Sequence, residues 1–214
     1  MLPIFLYFFG DSNLFGLDPT TFYRYPSSIR FAERTVSELQ KQYPTLQSHI
    51  DGKPGRSLKY EYQTFGIVNG FSSFTSLLLS MKQTSSSHRN ILILSISIND
   101  ILSQANPESV VKEVEQYITQ AKNYSDVIFL VPPSLKECIS DVWKGIVLPA
   151  QSNSVKYVEL LKKSVEEWKE KNILKEFILL EDVPVGCDGL HYTSEAHSMI
   201  YERLVTVLKT ILSN

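Results

Sequence analysis

The chain has only two cysteines in 214 residues, Cys138 and Cys187, far apart and without the C-x-x-C spacing of zinc and dithiol redox sites. Both read as free thiols, which suits a reducing, cytoplasmic setting. An excess of charge is also missing. The formal net charge is -2, and the Lys and Arg residues are scattered rather than gathered into the basic stripe that follows a phosphate backbone. Nucleic acid is therefore not an expected partner. Long apolar runs are absent as well: Met1 to Phe9 is apolar but falls far short of the ~20 residues that cross a bilayer, so no stable membrane insertion is expected. That run holds no Lys or Arg, so it does not read as a cleaved signal peptide, and cleavage would remove the most informative residue in the chain. There are no repeats, no low-complexity tract beyond Ser85 to Ser87 and no linker, so one domain spanning residues 1–214 is expected.

What is present is an ordinary globular balance, 43% hydrophobic and 21% charged, on a chain long enough to bury about 70% of its unfolded surface. No disulfide or metal staple is required. Strand and helix patterns alternate throughout, the mark of an α/β domain with a mainly parallel sheet. Buried strands are predicted at Leu2 to Phe9, Ile91 to Ser97, Val127 to Val131 and Phe177 to Leu180, with a weaker one at Leu46 to Ile50. Between them, apolar residues spaced three and four apart mark helices. Ile29, Ala32, Val36, Leu39 and Tyr43 form one stripe, capped by Ser27 or Ser28 and stopped by Pro44. Val111, Val114, Ile118 and Ala121 form another, entered through Pro107; Val158, Leu161, Val165 and Trp168 a third; Ile200, Leu204, Val207 and Ile211 the last. These stripes report burial and carry no chemistry.

Irregular stretches cover Asp11 to Tyr25, Gly52 to Phe71, Pro132 to Asn153 and Asp182 to Thr193. Three of these four leave the carboxyl end of a predicted strand, where open α/β sheets bind ligands. After the first strand, Gly10, Asp11, Ser12 and Asn13 present a serine hydroxyl on a sharp turn, a place where a nucleophile and its own backbone N-H can face a substrate. Alone, this could be an Asp-Ser turn. In the last stretch, Asp188 stands three residues ahead of His191, close enough to accept the imidazole Nδ1-H and leave Nε2 free to take a serine proton. His197, His49 and His88 lack such a partner, and His197 reads as a satisfied or solvent-facing helix histidine. Asn99, after the third strand, can donate to an oxyanion or cap a helix. Gly55, in a Gly-Pro turn after the second strand, can lend a backbone N-H.

Taken together, the four loops resemble the SGNH hydrolases, also called GDSL-type esterases and lipases. GDSNLFG at residues 10–16 fits the family opening GDS-x-x-x-G, DGKPGRS at 51–57 is similar to its second block in arylesterases, and DGLHYTSEAH at 188–197 resembles its closing block. The resemblance spans residue 4 to about residue 205. It implies a three-layer α/β/α sandwich with a five-stranded parallel sheet, flavodoxin-like in outline. It further implies Ser12, Gly55, Asn99 and His191 as the four eponymous residues, Asp188 completing the triad, and Ser12, Gly55 and Asn99 forming the oxyanion hole. The implied activity is hydrolysis of carboxylic esters, with short acyl, aryl and sugar acetyl esters in view, and no metal or organic cofactor. One departure stands out: Ser97 occupies the position of the glycine in the family's Gly-x-Asn-Asp block. A lysophospholipase or thioesterase of the same family, and a non-catalytic flavodoxin-like binding module, are the alternatives; the second lacks both phosphate-cradling glycine motifs. Leu14, Phe15, Tyr62, Phe65 and Trp143 are the expected substrate-binding residues, with Tyr60, Phe71 and Phe74 nearby, core burial competing for at least two of these aromatics.

Overall fold

The computed structural model describes residues 2–59 and 68–213. Strands β1 (Ile4–Gly10), β2 (Gln47–Gly52), β3 (Arg56–Ser57), β4 (Val68–Asn69), β5 (Arg89–Ser95), β6 (Asp126–Val131) and β7 (Glu176–Leu179) alternate with helices α1 (Ser12–Phe15), α2 (Phe31–Gln42), α3 (Phe71–Thr84), α4 (Ile98–Leu102), α5 (Pro107–Ala121), α6 (Lys144–Glu170) and α7 (Ser194–Ser213). Five strands form one all-parallel sheet in the order β2-β1-β5-β6-β7, and β3 pairs with β4 in a small second one. Consecutive side chains of a strand face opposite sides, so each central strand feeds two cores. Tyr7, Phe9, Leu92, Leu94, Val127 and Phe129 pack into the core beneath α3, α5 and α6. Leu6, Phe8, Ile91, Ile93, Ile128 and Leu130 pack into the one beneath α2 and α7. This is the expected three-layer α/β/α sandwich.

Several element boundaries differ from expectation. β5 ends at Ser95 and not at Ser97, which frees Ile96 and Ser97 for a turn into α4. Helix α2 starts at Phe31 with Arg30 in the cap position and no side-chain cap, so neither Ser27 nor Ser28 plays that part. Helix α6 begins at Lys144, inside the stretch expected to be irregular, and tolerates Pro149. That proline, in the second turn, cannot donate the usual bond to the carbonyl four residues before it, and the buried Val147 and Ala150 on either side anchor the helix there. Helix α3 has no counterpart among the expected helices. Its apolar positions are interleaved with Ser and Thr, which are weak helix formers, and packing of Phe74, Leu77 and Met81 against the core overrides that weakness.

His197, on α7, is fully buried rather than solvent-facing. Its ring stacks on Phe31 at a 5.5 Å centroid distance and meets Tyr25 edge-on, while the Phe31 N-H donates to Nδ1 at 3.4 Å. Nε2 is buried with no hydrogen-bond partner among the described residues. Burial, then the nearby Arg30 and Arg34, hold its pKa down at about 4. The unfolded chain takes up the proton below about pH 6.5, whereas the folded one resists until about pH 4, so stability is lost as pH falls through that window. Between pH 7 and pH 5 this single residue is expected to remove about 2 kcal/mol of unfolding free energy. Urea unfolding of His197→Gln at the two pH values should show a loss smaller by that amount; equal losses would mean the ring is not held neutral. Asp11 and Asp100 titrate in the opposite sense and are common to both proteins, so the comparison cancels them.

Candidate active site

All four irregular stretches follow a strand of the main sheet, and their first residues gather at its carboxyl edge. Ser12 opens the single-turn helix α1, capped by Asp11, whose carboxylate accepts the Asn13 N-H at 2.9 Å. The turn lies tight against the end of β2: a Cβ on Gly52 would stand 2.4 Å from the Phe15 backbone nitrogen, so only glycine admits α1 there. On the far side, Gly189 takes φ +71 between Asp188 and His191, with the Lys136 carbonyl where a Cβ would go. This left-handed turn folds His191 back over Asp188.

These turns place three side chains in line. Ser12 Oγ lies 2.9 Å from His191 Nε2, and His191 Nδ1 lies 2.6 Å from Asp188 Oδ2. The other carboxylate oxygen, Asp188 Oδ1, accepts the backbone N-H groups of Leu190 and His191 at 3.0 and 2.9 Å. Burial alone would raise the Asp188 pKa, but the His191 hydrogen bond and charge with these two N-H donors outweigh it and hold the carboxyl below its usual range. An ionised Asp188 fixes the Nδ1-H tautomer, which leaves Nε2 with a lone pair toward Ser12. All three side chains are almost fully buried.

Beside them is a cavity of about 270 Å³, bordered by Ser12, Gly55, Asn99 and His191 and walled by Leu17, Pro54, Leu102, Trp143, Ile146 and Leu190. The Ser12 N-H is the first of α1, where a helix offers no acceptor of its own. Gly55 stands at φ +72 at the tip of its turn. Asn99 Nδ2 spends one hydrogen on the Arg56 carbonyl at 2.9 Å, which leaves the amide's second N-H. Trp143 closes the cavity edge-on to the His191 ring, 5.3 Å between centroids, with Phe22 tilted against its outer side.

Of the expected substrate-binding residues, two need correction. Leu14 points into the core beneath α2 and α7 and is wholly buried, because its turn of α1 packs down onto β1. Phe15 lies under the Arg24 guanidinium, 4.4 Å from its ring centroid, and does not border the cavity. Tyr62 and Phe65, like Tyr60, fall outside the described residues. Phe74 is core and Phe71 is half exposed on α3, neither of them on the cavity wall. Trp143 does border it.

Two further residues shape the site without a motif of their own in the sequence. Asn13 bridges the serine turn to the histidine loop, accepting the Tyr192 N-H at 3.0 Å and donating to the Leu190 carbonyl at 3.4 Å. Arg56, almost fully buried, donates to the carbonyls of Gly10 and Asp51, pairs with the Asp51 carboxylate at 2.8 Å and stacks over Phe9. Adjacency to the Ser12 and Gly55 motifs was the one available signal. Among the described residues no group of three or more His, Cys, Asp or Glu is placed to hold a metal, and no helix is long and apolar enough to cross a membrane.

The five-stranded α/β/α sandwich is a fold the chain shares with solved esterase structures. Among solved structures, the chain is similar to a carbohydrate acetylesterase from Sinorhizobium meliloti, with a TM-score of 0.79 and 17% identity over 97% of this chain and 99% of that one. It is likewise similar to the native aryl esterase of M. smegmatis, at TM-score 0.77 and 15% identity over 97% and 99%. A member of the lipolytic protein G-D-S-L family from Veillonella parvula DSM 2008 superimposes at TM-score 0.62 and 13% identity, over 96% and 98%. No protein-family model matches the chain, and no curated protein does.

Proposed function

We propose that the protein is a serine esterase that transfers the acyl group of a carboxylic ester to water through a covalent intermediate on Ser12. The observation that carries this reading is the unbroken chain from Ser12 Oγ through both ring nitrogens of His191 to Asp188 Oδ2. His191 Nε2 takes the Ser12 proton as Oγ attacks the ester carbonyl, and Asp188 stabilises the imidazolium that forms. The carbonyl oxygen becomes an oxyanion on the side of the cavity formed by Ser12, Gly55 and Asn99, whose N-H groups receive its charge. Collapse expels the alcohol, which takes the proton back from His191. Water then repeats the sequence on the acyl-enzyme and releases the acid, returning Ser12 and His191 to their starting state.

The cavity's size, about 270 Å³, and its lining, among the described residues, of mainly aliphatic side chains and Trp143 support a preference for short acyl groups or small aryl esters. The acetylesterase and aryl esterase among the structural neighbours agree with that size class. The test is direct. A fluorophosphonate should lose fluoride and leave its phosphonyl group on the peptide containing Ser12, and p-nitrophenyl acetate should be turned over faster than the octanoate. A label on another serine, or the absence of turnover on every p-nitrophenyl ester from acetate to octanoate, would overturn the assignment.

A further inference from the structure

Ser97 holds a backbone conformation, φ +113 and ψ -17, that glycine adopts freely and a residue with a Cβ does not. Such a conformation persists only where the surroundings impose it. The surroundings are visible. Ser97 is completely buried, and its Oγ accepts a hydrogen bond from the Tyr157 hydroxyl at 2.5 Å. Tyr157 belongs to the middle of α6, is wholly buried itself, and burial holds its phenol far above the ordinary value, so the donor stays protonated.

The strained turn leads straight into α4. The Ser97 carbonyl accepts the Asp100 N-H at 3.2 Å, which starts that helix, and Asn99 lies in its first turn. The short helix is held at two further points: Asn99 Nδ2 to the Arg56 carbonyl, and the Asp100 carboxylate accepting the Leu58 N-H at 3.0 Å. Both of those attach it to the β3 side. The bond to Tyr157 instead attaches the strained turn to α6, whose first residues carry Ile146 on the cavity wall.

We infer that Tyr157 is a positioning residue: by hydrogen-bonding Ser97 it clamps the left-handed turn that aims the Asn99 amide at the oxyanion. The inference rests on the esterase reading above. Without the clamp, the Ser97 backbone can relax toward negative φ and swing the first turn of α4, and a donor displaced by a fraction of an ångström loses much of its effect on a developing charge. A glycine at position 97 would take the turn without strain and make the clamp dispensable.

Steady-state kinetics on p-nitrophenyl acetate test this with five variants: Tyr157→Phe, Ser97→Gly and Asn99→Ala alone, and Tyr157→Phe in each of the other two backgrounds. Tyr157→Phe, which keeps the ring and removes the donor, is expected to lower kcat about tenfold with KM unchanged within about twofold, part of the roughly 10² to 10³ that a whole oxyanion donor typically supplies. In the Ser97→Gly background the same change should leave kcat within about twofold of Ser97→Gly alone, and in the Asn99→Ala background it should add nothing to the Asn99→Ala loss. A Tyr157→Phe enzyme with the kcat of the parent, a loss that persists beside Ser97→Gly, or a loss that multiplies with Asn99→Ala would each overturn the inference. If Tyr157→Phe alone does not fold, the Ser97→Gly, Tyr157→Phe double variant decides the matter, since only a dispensable clamp leaves it active. Failure of the esterase reading looks different: the parent protein itself would show no turnover.

Discussion

Ser12→Ala is expected to lower kcat on p-nitrophenyl acetate by about 10⁶, the scale on which loss of a nucleophile removes the concerted work of a triad. The whole protein should meanwhile stay folded. Ser12 Oγ has His191 Nε2 as its hydrogen-bond partner, and the turn is held by Asp11 and Asn13, which the change leaves alone. A small residual rate above that of water is consistent with the proposal, because the Gly55 and Asn99 donors can still receive an oxyanion formed by direct attack of water. The measurement pairs kcat with a thermal melt on the same sample. An alanine variant that keeps both its melt and its rate would remove Ser12 from the chemistry.

Asp188→Asn should produce the second largest effect, a fall of about 10⁴ in kcat with geometry nearly intact. The asparagine oxygen can keep the Leu190 and His191 N-H bonds now made by Oδ1, so the loop has reason to hold. The group facing Nδ1 is altered instead. An amide NH₂ there would favour the tautomer with its proton on Nε2, the nitrogen that must be bare to take the Ser12 proton, and no negative charge would offset the imidazolium. The loss should shrink at high pH, where hydroxide can replace the missing base for the acylation step. A variant with parental kcat across the neutral and mildly alkaline range would show that His191 is oriented by something other than Asp188.

The outline of the fold was legible because β1, β5 and β6 are covered on both faces and therefore apolar at nearly every position. That Ser12, His191 and Asp188 would lie side by side was legible for a different reason. Each of the three sits in a turn whose chemistry is local, Asp-Ser before α1 and Asp-x-x-His before α7, and the alternating pattern alone brings those turns to one sheet edge. Helix α3 stayed hidden because Ser72, Ser73, Thr75 and Ser76 dilute its apolar stripe, and tertiary packing decided what propensity did not. The direction of Leu14 was equally hidden, since a four-residue helix carries no readable period. Ser97 shows a third kind of limit: the departure from glycine was visible, but the tyrosine that answers it lies 60 residues later on another layer.

The separation of Ser12 from His191, 179 positions, has a bearing on how the molecule comes into being. Ser12 and His191 lie side by side only in a chain whose long-range contacts across the sheet have formed, so under the proposed function the onset of ester cleavage during refolding would report that closure. A nascent or refolding polypeptide would hold an exposed serine turn with no partner to ionise it, and hence would be inert toward the esters around it until synthesis and docking of the closing loop were complete.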